Sequence, residues 1–428
     1  MQYKSITLDE WRQFKDVSID LHPRLTILTG PNGSGKSTLL SLLNISTTAM
    51  NEEPYLATPV NDKKSGISGF NIGTLFARFN PFKRGTSSEP DEKRHGIGSI
   101  VYASGDRAIL EVNEKNTLQY QVELNGKQRV SGFKISSHRA LPRYQAVNNL
   151  PVSGIKPEAA FSYFAQSLST YQRGGRFIRN GSSVENPVAP LKETLIGFAA
   201  FGADNAHMKA VPELVGLYEG FQEILRTLLP AEIGFQNLEV RSPEIVVVTL
   251  TGEFPIDSAS GGLMALIQTA WQIFLFIKAN GSEAVVLIDE PENHLHPSLQ
   301  RDFLSNLVRT FDQTQFVIAT HSPFIISSVK DSRIYALRYV ERNDGSSAVT
   351  AHLVDMQSKA GSATKILDEV LGVSVTIPMW AENELNEISA KFEVSELSQE
   401  SIDRLRIDLE QAGLSQFFPE AVGRILRD

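Results

Sequence analysis

Nine consecutive residues, Gly30-Pro31-Asn32-Gly33-Ser34-Gly35-Lys36-Ser37-Thr38, have the makeup of a phosphate cradle. Glycines at 30, 33 and 35 let the backbone aim its N–H groups inward with no Cβ in the way of an anion. Asn32, Ser34 and Thr38 complete the loop. Lys36 is placed to reach the β- and γ-phosphates of a nucleoside triphosphate, and Ser37 offers a hydroxyl to Mg²⁺. The full GxxxxGKS pattern is far more specific than a lone glycine-rich turn.

Three later stretches could serve the same chemistry. Ser258-Ala259-Ser260-Gly261-Gly262 opens an apolar run from Leu263 to Lys278. A hydroxyl, free backbone N–H groups and a helix N-terminus there would make a second anion cradle. The run from Ala284 to Ile288 ends on Asp289-Glu290, where Asp289 suits Mg²⁺ through water and Glu290 suits polarising an attacking water. The run from Gln315 to Ala319 ends on Thr320-His321, and His321 could hydrogen-bond a γ-phosphate and report its loss. His294 and His296 lie two residues apart with no third evident ligand, so they read as part of a rigid loop and not as a metal site.

The elements that must position these groups follow from periodicity. Leu25 to Thr29 reads as the strand feeding the phosphate loop, and Leu39 to Leu43 as the start of the helix behind it. The runs ending at Asp289 and at His321 read as buried parallel strands. Before the loop, Tyr3 to Leu21 reads as two antiparallel strands, whose Trp11 and Phe14 could either flank a base or fill the sheet. Residues 97 to 135 read as a strand meander with turn chemistry at Ser104-Gly105-Asp106 and Asn125-Gly126-Lys127. It exits through Ser136 to Gln145, where His138, Arg139 or Gln145 could sense the γ-phosphate. Three amphipathic helices are expected between 157 and 229, the first presenting Ala159, Phe161, Phe164, Leu168 and Tyr171. Residues 51 to 90 read as surface loops, with a modest basic cluster at Lys83, Arg84, Lys93 and Arg94. The tail from 360 to 428 reads as helical.

Composition excludes several alternatives. The chain has 428 residues, a formal net charge of −8 and no cysteine. Disulfides, thiolate metal sites and cysteine nucleophiles are therefore ruled out, and no overall basic field advertises nucleic-acid binding. The start lacks the apolar core of a signal peptide, and runs such as Leu195 to Ala203 are too short to span a bilayer. A cytoplasmic protein with no membrane partner is expected.

Taken together, Gly30–Thr38, Ser258–Gly262, Leu287–Pro297 and Ala319–Pro323 resemble the ABC-type ATPases of the SMC, RecF and OLD group. The resemblance covers most of residues 1 to 340. It implies an α/β P-loop ATPase head with an antiparallel β lobe, a helical insert and a small C-terminal helical appendage. The expected division is 1–140 and 236–358 for the two parts of the head, 141–235 for the insert and 359–428 for the appendage. It further implies ATP and Mg²⁺ as ligands and a composite site made by two copies head to tail. One copy would supply Lys36, Ser37, Asp289, Glu290 and His321; the facing copy would supply Ser260, Gly261 and Gly262. The Asn293–His296 loop would lie at the dimer contact.

The OLD nucleases continue into a TOPRIM domain, and this chain departs from them there. Asn343-Asp344-Gly345 reads as a hairpin turn, and no Asp-x-Asp follows it, so two-metal nuclease chemistry lacks its carboxylates. Stand-alone ATPases of this shape resemble the ATPase subunits of Septu, retron-associated and PARIS anti-phage systems. That resemblance implies a sensor or scaffold controlling a separate HNH or TOPRIM-like nuclease. The alternative is a RecF- or SMC-like ATPase that binds DNA in repair or maintenance.

Overall fold

The computed structural model describes residues 1–49, 54–62, 67–71, 78–79, 94–113, 119–141, 143–147, 155–173, 177–179, 182–184, 186–204, 209–342, 346–355, 363–372, 378–392 and 398–425. Lys83, Arg84 and Lys93 of the basic cluster lie outside the described residues, as do most of the expected surface loops and the turn at 343–345.

Five parallel strands form the centre: β3 (Leu25–Thr29), β7 (Gly132–Ile135), β11 (Val285–Asp289), β12 (Gln315–Ala319) and β13 (Arg333–Glu341). They lie in the order β13-β3-β12-β11-β7. Their residues alternate between two cores. Val286, Ile288, Phe316 and Ile318 face one, while Val285, Leu287, Val317 and Ala319 face the other. Burial on both faces is what turns these segments into near-continuous apolar runs.

The antiparallel strands continue the same sheet. They are β1 (Tyr3–Trp11), β2 (Phe14–Asp20), β4 (Arg94–Tyr102), β5 (Arg107–Asn113), β6 (Val122–Asn125) and β14 (Ser347–Leu353). The complete order is β6-β5-β4-β1-β2-β14-β13-β3-β12-β11-β7, eleven strands in one hydrogen-bonded sheet. The expected lobe is thus fused edge-on to the parallel strands, through the single parallel pair Phe14↔Val349 and the β13–β14 hairpin. Trp11 and Phe14 are fully buried and stacked 6.2 Å apart, so they fill the lobe and do not offer a face to a base. The expected meander is interrupted: Gln119–Tyr120 pairs with Tyr55–Leu56, whereas β6 joins the main sheet.

Helix α1 (Lys36–Asn44) packs on the face shared with the antiparallel strands. On the opposite face lie α2 (Pro157–Gln172), α3 (Val188–Gly202), α4 (Pro212–Leu228), α5 (Gly261–Asn280) and α6 (Pro297–Thr310). Helix α2 buries Ala160, Tyr163, Phe164 and Ser167, whereas Ala159 is exposed. Phe161, Phe164 and Leu168 of the expected stripe pack in the core, and of its five residues Ala159 alone is exposed. Tyr163 is buried beside them, its hydroxyl donating to Glu193 Oε2 at 2.8 Å in the seam with α3. Helix α5 is long and apolar enough to cross a membrane, but 72% of that apolar window is buried within the fold. Gln268, Thr269 and Gln272 interrupt the run and are themselves buried.

The chain divides into two compact units, one of 1–366 with 370–372, the other of 367–369 with 373–428. The second contains the helices Met379–Ser389, Gln399–Gln411 and Phe418–Ile425 around a core that includes Leu385, Ile388, Leu405, Leu409 and Ile425. A Ser398–Ser401 capping box starts the middle helix.

Candidate functional site

The phosphate loop connects the fully buried β3 to α1 and requires its glycines. Gly30 sits at φ 140°, and a Cβ there would come within 2.4 Å of Leu337 O. Gly35, at φ 96°, has the Phe14 ring so close that a Cβ would meet it at 2.3 Å. Both positions combine a left-handed backbone with contact to the sheet, which only glycine tolerates. The exposed part of the loop is pinned by neighbours: Tyr339 Oη donates to Asn32 O (3.3 Å) and Gln13 Nε2 to Gly33 O (3.4 Å). Ser34 is buried and Thr38 half-buried, while Ser37 is exposed at the head of α1.

Lys36 folds back under the loop, its Nζ donating to Gly30 O (2.9 Å) and Pro31 O (3.0 Å). Burial pushes its ammonium down to about 8, against the opposing pull of Asp289, Glu290 and Glu292. Three carboxylates and a half-exposed histidine thus gather around the cradle. Strands β3, β12 and β11 end side by side, which brings Lys36, His321, Asp289 and Glu290 together from segments up to 285 residues apart.

Asp289 is 94% buried, since only 6% of its surface is accessible. Burial raises its carboxyl above the usual range, while the nearby Ser37 hydroxyl, Lys134 and Lys36 oppose that rise. Its Oδ1 has no hydrogen-bond partner among the described residues. A carboxylate oxygen left free beside a serine hydroxyl fits a hard divalent cation such as Mg²⁺, which takes one or two protein oxygens and completes its shell with water and phosphate.

Glu290 adopts φ 45°, a conformation that costs a non-glycine residue about 1–3 kcal/mol and clusters at functional sites. Its N–H is fixed by Ala319 O at 2.8 Å. Asn293 Nδ2 donates both to Glu290 Oε2 (3.0 Å) and to Ser137 O (3.1 Å), and His321 Nε2 lies 3.8 Å from Glu290 Oε1. Burial, and then Lys36, lower the imidazole below its ordinary value, against the opposing pull of Glu290 and Asp289.

Glu292, and Asn293 of the loop expected at the dimer contact, both bond within the site. Glu292 Oε1 accepts from Thr320 Oγ1 (2.8 Å) and from His321 N (2.7 Å), which locks the histidine's backbone to the loop after β11. Asn293 orients the Glu290 carboxylate. The available signal was a polar residue at each position of a short loop between a buried strand and a helix, where packing alone would favour neither.

Ser260 caps α5, its Oγ accepting from Leu263 N at 3.3 Å. Gly262 lies so close to the next loop that a Cβ would meet His294 O at 2.9 Å, and a Cβ on Gly261 would touch Leu141. Just before the turn, Asp257 accepts from Lys192 Nζ at 2.5 Å. Lys192 is fully buried, forms an ion pair with Glu244 at 2.6 Å and donates to Gln145 O (2.9 Å). The turn is therefore anchored to α3 and to the segment leaving β7.

A family model described as "AAA domain, putative AbiEii toxin, Type IV TA system" matches residues 25–327. Over 404 residues the chain is 20% identical to the Septu protein PtuA of Bacillus mycoides (strain KBAB4), covering 94% of this chain and 48% of that one. Over 164 residues it is 26% identical to the retron Ec83 probable ATPase of Escherichia coli, covering 36% of this chain and 28% of that one. The chain thus spans about half the length of the first relative and less of the second. Among solved structures, the SMC head domain from Thermotoga maritima aligns at a TM-score of 0.41 and 16% identity, over 83% of this chain and 100% of that one.

Proposed function

This chain belongs to the AAA-domain family whose model spans residues 25–327, and we propose that it binds and hydrolyses ATP in sites completed by a second copy of itself. The observation that supports this most is the separation of the two anion cradles. The phosphate loop packs against Phe14, Leu337 and Tyr339, whereas the Ser260–Gly262 turn packs against Leu141 and His294. Leu141 and His294 follow β7 and β11, and β7 stands three strand positions from β3, about 14 Å at the usual strand spacing. Two copies related by a twofold axis would lay each turn on the other's loop, because an isologous contact repeats itself.

In this reading the loop N–H groups and Lys36 hold the triphosphate, and Ser37 and Asp289 hold Mg²⁺, which neutralises phosphate charge. Glu290 takes the proton of the attacking water, with its carboxylate steered by Asn293. His321 donates to the terminal phosphate, and the facing copy's Ser260, Gly261 and Gly262 enclose it from the other side. The terminal phosphate is then the contact that differs between closed and open states, as a switch needs. The division into head parts 1–140 and 236–358, insert 141–235 and appendage 359–428 belongs to the same proposal.

Likeness to a Septu protein along 94% of the chain supports a role as a cytoplasmic anti-phage sensor and scaffold that holds a separate HNH or TOPRIM-like nuclease. Sedimentation of the purified chain tests the shared step. Its mass should double with Mg²⁺ and ATP and stay unchanged with ADP. An ATP-saturated chain whose mass matches the ADP form would refute the two-copy site.

A further inference from the structure

Lys192 lies in the second turn of α3 with none of its surface accessible. Its Nζ is 2.5 Å from Asp257 Oδ2 and 2.6 Å from Glu244 Oε2, and it donates to Gln145 O at 2.9 Å. An ammonium has three donors, and here three segments of chain supply an acceptor each. They are the short turn Ile256–Ser258, the strand Glu244–Thr249 and the stretch leaving β7. Asp257 Oδ1 has no hydrogen-bond partner among the described residues, so the bond to Lys192 is what fixes this carboxylate.

Stability alone does not account for the arrangement, since apolar side chains of similar volume often hold such a site as well or better. What short charged hydrogen bonds add is a fixed direction and distance. Asp257 stands three residues before Ser260, and the turn between them is closed by Ala259 N donating to Ile256 O at 3.1 Å. Asn186, just ahead of α3, holds the other wall. Its Nδ2 donates to Leu141 O (3.3 Å) and Arg143 O (3.1 Å), and Leu141 is the side chain that a Cβ on Gly261 would touch. The head of α3 therefore grips the Ser260–Gly262 turn from two sides.

We propose that Lys192 is a positioning residue for hydrolysis in the facing copy: from α3 it sets the serine–glycine turn at the height where that turn meets the other copy's triphosphate. The proposal rests on the two-copy reading above and deepens it by naming what holds the turn. Lys192 does not itself reach a nucleotide, because its donors are already engaged by Asp257, Glu244 and Gln145 O. Its effect runs through Asp257 to Ser260. The same chain's phosphate loop packs against Phe14, Leu337 and Tyr339 and shares none of these contacts.

Lys192→Met should bind ATP as the parent does and hydrolyse it about a hundredfold more slowly, the loss expected when a group at the reacting centre is displaced by about 1 Å. Asp257→Leu, which leaves Lys192 paired with Glu244, carries the same expectation should the Met variant fail to fold. Mixed in equal amounts with Lys36→Ala, whose own turn is intact, either variant should regain about a quarter of the parental turnover, because half of the pairs are mixed and each holds one whole site of two. Parental turnover in the variants alone would overturn the proposal. So would a fall in their ATP affinity, or a mixture no more active than its components, because a chain damaged throughout rescues nothing. A mixture of Lys36→Ala with Ser260→Arg that stays inactive would bring down the two-copy reading and this proposal with it. Recovery in that mixture, with none in the Lys192→Met and Asp257→Leu mixtures, would bring down this proposal alone.

Discussion

Lys36→Ala should abolish nucleotide binding, lowering ATP affinity by roughly a hundredfold or more, the expected loss of a charged hydrogen-bonding group at a phosphate. Among the described residues the lysine bonds two loop carbonyls, Gly30 O and Pro31 O, and is buried in the process. A triphosphate offers its ammonium a better, oppositely charged partner. Alanine removes that partner and also leaves Asp289, Glu290 and Glu292 facing the phosphates with one fewer cation nearby. The effect is thus a lost attraction plus an uncovered repulsion. The fold itself should survive, since the glycine geometry of the loop is set by Leu337 and Phe14 and not by Lys36. Calorimetric titration with ATP, alongside a thermal melt, separates the two outcomes. Unaltered ATP affinity in a folded variant would place the nucleotide elsewhere.

Glu290→Gln should leave binding intact and slow hydrolysis by about 10²–10⁴-fold, the usual worth of a positioned general base. Glutamine keeps the shape and an oxygen that can still accept from Asn293 Nδ2, so the neighbourhood is preserved. It cannot take a proton from water. Glu292 cannot easily replace it, because one of its oxygens already accepts from both Thr320 Oγ1 and His321 N. The variant should therefore accumulate as an ATP-bound pair that persists through gel filtration, whereas the parent pair decays as ATP is consumed. Single-turnover hydrolysis measures the rate directly. Turnover at the parental rate would remove Glu290 from the role of base.

Much of this site could be read from residue order alone, for a physical reason. A phosphate loop is a local device, whose strand, turn and helix are contiguous, so nine residues specify it. The strands ending at Asp289 and at His321 were equally readable, because burial on both faces forces uninterrupted apolar runs. Pairing between distant segments was not readable. Nothing within Gly132–Ile135 announces that it will lie parallel to Val285–Asp289, about 150 residues away. Yet that pairing is what carries the segment leaving β7 alongside the strand that ends on Asp289. The fusion of the antiparallel strands into one sheet escaped for the same reason, since it hangs on a single bridge, Phe14↔Val349. On α2 the apolar stripe did not announce Tyr163, whose burial depends on the hydrogen bond from its hydroxyl to Glu193.

The relation between the two cradles is settled most directly by mixing two inactive chains. Lys36→Ala has a ruined phosphate loop and an intact serine–glycine turn; Ser260→Arg has the reverse. Each alone should hydrolyse no ATP. Mixed in equal amounts, they should regain about a quarter of the parental turnover, because half of the pairs are mixed and each mixed pair holds one whole site of two. A mixture as inactive as its components, or a Ser260→Arg chain that hydrolyses ATP like the parent, would contradict a pocket shared between two copies.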